Sequence, residues 1–114
     1  MNQLNFLNLL LQRLPELERL HEEHIKDNDV LLPFVFLSEI VRYLEANYEN
    51  DLDAKFLEEL ISLLNASFEE ADDELKELIS VSFLENLSKD NDIYQILKNN
   101  FSNALKKELS LYDY

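Results

Sequence analysis

Apolar residues recur at three- and four-residue intervals along nearly the whole chain, the spacing that puts them on one face of an α-helix. Leu4, Leu7, Leu10, Leu11 and Leu14 predict a first helix on this basis. Pro15 breaks the hydrogen-bond ladder and disfavours a helical Leu14, yet it suits the first position of a new helix. That second helix carries Leu17, Leu20, His24 and Ile25 on one side. It should stop near Lys26-Asp27-Asn28-Asp29, where Asp and Asn compete for backbone bonds and Asn tolerates a left-handed conformation.

A third helix is expected from Pro33 towards Tyr48, with Asn47 and Asn50 marking its end. Phe34, Val35, Phe36, Leu37, Ile40, Val41, Tyr43 and Leu44 wrap most of its first three turns, and a helix apolar nearly all round belongs at the centre. The fourth helix follows a cap at Asp51 or Asp53 and shows Phe56, Leu57, Leu60, Ile61, Leu64 and Phe68. The fifth opens with Asp72-Asp73-Glu74, whose charges favour the positive end of the helix dipole. Its inner set is Leu75, Leu78, Ile79, Ser82, Phe83 and Leu87, with Val81 and Leu84 widening the stripe. Asp92 and Gln95 are spaced as a capping box for a sixth helix carrying Ile93, Ile96, Leu97, Phe101, Leu105 and Leu109. Residues 110–114 read as a frayed tail, with docking of the Tyr112 and Tyr114 rings as the alternative.

The fold class is therefore all-α, one helical domain over 1–114, built as a compact bundle or a short helical-repeat-like array of about six antiparallel helices. Glu59-Leu60-Ile61-Ser62 returns as Glu77-Leu78-Ile79-Ser80, and Lys26-Asp27-Asn28-Asp29 returns verbatim as Lys89-Asp90-Asn91-Asp92. Similar faces and similar caps on adjacent helices account for these echoes better than true repeats do.

Composition sharpens this by exclusion. Average usage would put about eight glycines in a chain of this length, and there are none. Without glycine there is no P-loop, dinucleotide fingerprint, G-x-S-x-G elbow or standard EF-hand loop. Without cysteine there are no disulfides, thiolate zinc sites or thiol nucleophiles, which fits a reducing cytosol. The longest unbroken apolar run, Val30 to Leu37, contains Pro33 and is far shorter than the roughly 20 residues of a spanning helix. The chain reads as a soluble cytoplasmic protein.

Catalytic candidates are few. His21 and His24 share a helical face with Glu18 three residues before His21, half of a carboxylate-bridged di-metal site, but no second Glu-x-x-His completes it. The expectation is a solvated His21 and a partly buried His24. The eight serines lack a nearby base, and no carboxylate pair stands out from the general acidity. An enzyme is not expected, and neither a metal, a cofactor nor a small-molecule substrate is called for. A hydrolase using Glu18, His21 and His24 with a metal is the remaining enzymatic possibility.

Charge distribution carries more information. The formal charge is −14. Residues 16 to 92 hold 22 of the 24 acids and six of the ten bases. The densest stretch is Glu69 to Glu77, where Glu69, Glu70, Asp72, Asp73, Glu74 and Glu77 face only Lys76. A second acidic region spans Glu45 to Glu59 with Lys55. Such a field repels nucleic acid and anionic membranes and steers a cationic protein towards itself. Tyr43, Tyr48 and Tyr94 are candidate aromatic anchors beside those acids.

Two stretches carry a family resemblance. Asp27-Asn28-Asp29-Val30-Leu31-Leu32-Pro33-Phe34-Val35-Phe36-Leu37 is followed by Arg42-Tyr43-Leu44, and later comes Asp73-Glu74-Leu75-Lys76-Glu77-Leu78-Ile79-Ser80-Val81-Ser82-Phe83-Leu84-Glu85-Asn86-Leu87. Together they resemble a group of small acidic helical bacterial proteins, some of which look like immunity proteins of polymorphic or contact-dependent toxin systems. The resemblance covers most of residues 16 to 109; members carry a His where this chain has Phe34, so no role transfers to that side chain. It implies an immunity protein that binds a cognate cationic toxin, a nuclease being the natural choice; the charge distribution offers Glu69, Glu70, Asp72, Asp73, Glu74 and Glu77, with Tyr43 and Tyr48 as aromatic anchors, for the contact. The alternative is a non-enzymatic adaptor or scaffold for another basic protein. Oligomeric state is not legible in the sequence.

Overall fold

In a computed structural model, which describes residues 1–48 and 53–113, every helix start that uses a side-chain cap takes it from Asn, Asp or Ser. Asn2 accepts from the Asn5 N–H and opens α1 (Gln3–Arg13). Leu14 ends α1, and Pro15–Leu17 forms a single 3-10 turn before α2 (Glu18–Asn28). Pro15 thus starts a short turn rather than α2 itself. Helix α2 closes on Asp29, which takes the left-handed conformation at φ 67°. The expectation had placed that conformation on Asn; Asp is the other residue whose short polar side chain tolerates it.

Helix α3 (Pro33–Asn47) starts on its proline, and α4 (Ala54–Glu70) starts on Asp53, which accepts from the Lys55 N–H. The alternative cap Asp51 and the end-marker Asn50 lie outside the described residues. Asp72 accepts from the Leu75 N–H to start α5 (Asp73–Leu78), which widens without a break into a π-helical segment, Ile79–Leu84. There the Glu85 N–H reaches the Ser80 carbonyl five residues back at 2.9 Å. An i→i+5 turn holds an extra residue, so the inward register shifts. Ser80, Ser82 and Leu84 turn inward and Val81 outward, so Val81 does not widen the buried stripe as its spacing suggested.

The expected sixth helix is two. Asn91, not the Asp92 and Gln95 box, caps α6 (Asp92–Asn100) by accepting from the Ile93 N–H. Phe101 then adopts an extended conformation, and Ser102 caps α7 (Asn103–Leu109). Breaking the helix at Phe101 lets Phe101, Leu105 and Leu109 all reach the core, where all three are buried. Ser110–Tyr112 is a 3-10 turn rather than a frayed end. Ser80 Oγ donates to Glu108 Oε2 at 2.6 Å, so the Tyr112 hydroxyl 2.6 Å away is left to donate to Ser80. Lys89 pairs with Asp113 at 3.3 Å. Tyr114 lies outside the described residues.

The chain is all-α, with seven α-helices and no strand among the described residues. One continuous cluster of buried residues draws on every helix but α2, which contributes His24 and, from the turn before it, Leu17. Much of the packing is between helices distant in sequence: α1 lies on α4 and α5, α4 on α7, and the π segment on α3 and α7. A repeat array contacts only successive units, so the molecule is a bundle, 35 × 35 × 26 Å across. The sequence echoes are not repeats either. One Lys-Asp-Asn-Asp ends α2 and the other leads into α6, while the second Glu-Leu-Ile-Ser crosses from α5 into the π segment. Helix α3 supplies Phe36, Leu37, Ile40, Val41 and Leu44 to the core, but Phe34 and Val35 are 41% and 42% exposed, so its first turn is not apolar-buried all round.

Candidate functional site

The acidic stretch at the α4–α5 corner is held as a surface. Ala71 leaves α4 in an extended conformation and Asp72 caps α5. The corner is pinned to the chain start, with Asp72 N–H donating to the Met1 carbonyl at 2.8 Å and Gln3 Nε2 to the Glu74 carbonyl at 3.3 Å. Glu69, Glu70, Asp72, Asp73, Glu74 and Glu77 are all exposed. Among the described residues none of these six carboxylates is ion-paired with a basic side chain. Asp72 differs from the other five because its carboxylate is already spent on the Leu75 N–H at 2.9 Å. Asp73 and Glu74 lie in the first turn of α5, where the dipole favours them.

The second acidic region is not a comparable face. Glu45 accepts from the Ser88 N–H at 2.8 Å and tethers α3 to the loop before α6; Glu59 pairs with Arg13 at 3.5 Å. Glu49 and Asp51 lie outside the described residues.

Tyr43 and Tyr48 are half-buried, at the C-terminal end of α3. Tyr43 stands edge-on to Phe56, in the first turn of α4, with ring centroids 6.5 Å apart. Helix α4 is 17 residues long, about 25 Å. Tyr43 therefore stands at its start and the acidic corner at its end, so the structure does not gather the sequence-predicted contact residues into one patch. Tyr94 is buried, so it is not a ready anchor.

A groove of about 690 Å³ runs along α4 between these two ends, walled on its far side by α6. Its α4 side is Ala54, Leu57, Glu58, Ile61, Ser62, Asn65, Ala66 and Glu69, and Ile96 and Asn100 come from α6. Sequence reasoning missed it because Leu57 and Ile61, which floor it, are themselves core positions, and Ile96 follows the same helical spacing. The available signal was the row of small residues, Ala54, Ser62 and Ala66, on the outer side of α4. Asn65 stiffens the groove wall, accepting from the Ser102 N–H at 2.8 Å and donating to the Asn100 carbonyl at 3.2 Å.

Both histidines pack against Phe36, and His24 ties α2 to α3. His24 is fully buried, more than its expected partial burial. Its Nε2 accepts from the Leu32 N–H at 2.9 Å, which fixes the proton on Nδ1, and Nδ1–H donates to Glu39. Both ring nitrogens are thus engaged within the protein. His21 is half-buried, edge-on to Phe36. Among the described residues no three His, Asp or Glu side chains stand together as metal ligands, and Glu18 joins neither histidine. No helix among the described residues is long and apolar enough to cross a membrane.

A family model described as a domain of unknown function (DUF7674) matches residues 7–113. No curated protein and no solved structure matches the chain.

Proposed function

The chain belongs to the DUF7674 family, and from its exposed acidic corner we propose that it is a non-catalytic binding protein, an immunity protein that neutralises a basic toxin by covering the toxin's active surface. The observation that carries this reading is the set of six exposed carboxylates at residues 69–77, unpaired with basic side chains among the described residues. Like charges held at close quarters repel, and the repulsion is relieved when a cationic surface arrives. A nuclease toxin is cationic because it must grip phosphates. A face that presents carboxylates from a fixed corner competes for that grip.

Rigidity supports the reading. The corner is fixed by an Asp72 cap and by backbone bonds to Met1, so little conformational freedom remains to be lost on binding. In this reading the protein works in the cytoplasm, before the toxin meets its nucleic acid.

The test is survival of cells producing the protein encoded immediately upstream of this gene. Cells that also make this protein should grow, and cells that make a variant reversed at Glu69, Glu70, Asp73, Glu74 and Glu77 should not. Equal killing with and without the protein would remove the immunity reading.

A further inference from the structure

We propose that the groove between α4 and α6 seats a basic, amphipathic helix of the partner protein. The inference rests on the reading of a basic partner and adds the shape of what it presents.

The groove has the length and floor that a helix needs. Its α4 wall runs from Ala54 to Glu69, about 22 Å at the helical rise, or roughly four turns of an occupant. Leu57 and Ile61, 9% and 8% exposed, form its apolar floor as the outer edge of the core, and the half-buried Ile96 flanks them. Ala54, Ser62 and Ala66 keep the wall low enough for a second helix to approach within the usual 8 to 10 Å or so between axes.

Charge selects the occupant. Glu58 and Glu69 line the groove eleven residues apart on α4, about 16 Å. Both are exposed, and neither has a basic partner among the described residues. A helix with apolar residues on one side and Lys or Arg three turns apart on its flank satisfies both. A second copy of this chain brings its own charge of −14 and fits less well. Glu69 also belongs to the acidic corner, so the groove leads away from the surface that would steer the partner in.

The experiment titrates the full-length chain with amidated peptides of about 16 residues, followed by amide chemical shifts. One peptide has a leucine face and a lysine face, a second has the same composition scrambled, and a third replaces lysine by glutamate. The first should shift the amides of Leu57, Ile61, Ala66 and Ile96 and become helical on binding. Ala66→Trp fills the groove from an exposed position; with helicity and melting temperature unchanged, it should weaken the first peptide roughly tenfold or more. Equal binding by the scrambled peptide or by the Ala66→Trp chain, or no shift at millimolar peptide, overturns the inference. Shifts confined to residues 69–77 overturn the groove while leaving the acidic corner as the binding face. Equal binding by the glutamate peptide contradicts a basic occupant. A dimer of the free chain that Ala66→Trp dissociates makes a second copy the occupant and overturns it as well.

Discussion

The backbone N–H of Leu32 donates to Nε2 of His24 at 2.9 Å. Through that bond one buried side chain in α2 sets the entry of the chain into α3, while Glu39 holds the other ring nitrogen from within α3. Replacing His24 by Phe keeps an aromatic ring but leaves the Leu32 N–H and the Glu39 carboxylate without their partner. The Glu39 side chain is 29% exposed and can turn to water, so the main cost is the unmet Leu32 N–H, about 1–3 kcal/mol. His24→Phe should therefore lower the melting temperature by several degrees or more, and imidazole nitrogen shifts of the wild type should show the Nδ1–H form. An unchanged melting temperature would deny this bond its structural role.

Asp29 makes the C-terminal turn of α2 at φ 67°, a conformation that costs a side-chain-bearing residue about 1–2 kcal/mol. Glycine is the usual occupant of such a position, and the chain has none. Asp29→Gly should raise stability by up to about 1 kcal/mol in denaturant titrations. A loss of stability would mean that the Asp29 side chain contributes more than its backbone costs.

Tyr112 ties the chain's last turn to the π segment through Ser80. Tyr112→Phe keeps the ring and removes the hydroxyl, a loss of about 0.5–1.5 kcal/mol. Amide exchange in Ile79–Leu84 should quicken while that in α4 stays as it was. No change in the π segment would show that the hydroxyl contact is dispensable.

Asp72 and its acidic neighbours should separate in their effects. Asp72→Ala removes the α5 cap and should cost about 1 kcal/mol of stability. Reversal of Glu77 alone should leave stability nearly unchanged, since exposed charges away from special contacts usually move it by less than about 0.5 kcal/mol. Comparing the two by thermal melting checks the division; equal losses would mean that Glu77 has a structural partner.

The helices were legible because apolar spacing survives wherever a helix packs from one side. Five buried residues of α3 and the buried row of α4 follow that rule. What escaped the pattern has local causes. A π turn shifts register without changing residue type, so Val81 and Ser80 trade their expected places. The break at Phe101 is marked only by a serine cap, because no glycine or proline punctuates it. At the candidate site, the acidic run was readable as composition. That α4 separates Tyr43 from it, and that a groove lies between, depended on helix pairings distant in sequence.

The central claim, that the acidic corner binds a basic protein, is tested most directly by association kinetics with the protein encoded immediately upstream of this gene. The rate should be measured at low and physiological salt, for the wild type and for a chain reversed at Glu69, Glu70, Asp73, Glu74 and Glu77 with Asp72 kept. The account predicts an association rate that falls roughly tenfold or more with added salt and with charge reversal, while far-UV circular dichroism stays unchanged. No binding by the wild type, or a rate indifferent to both salt and reversal, would contradict it.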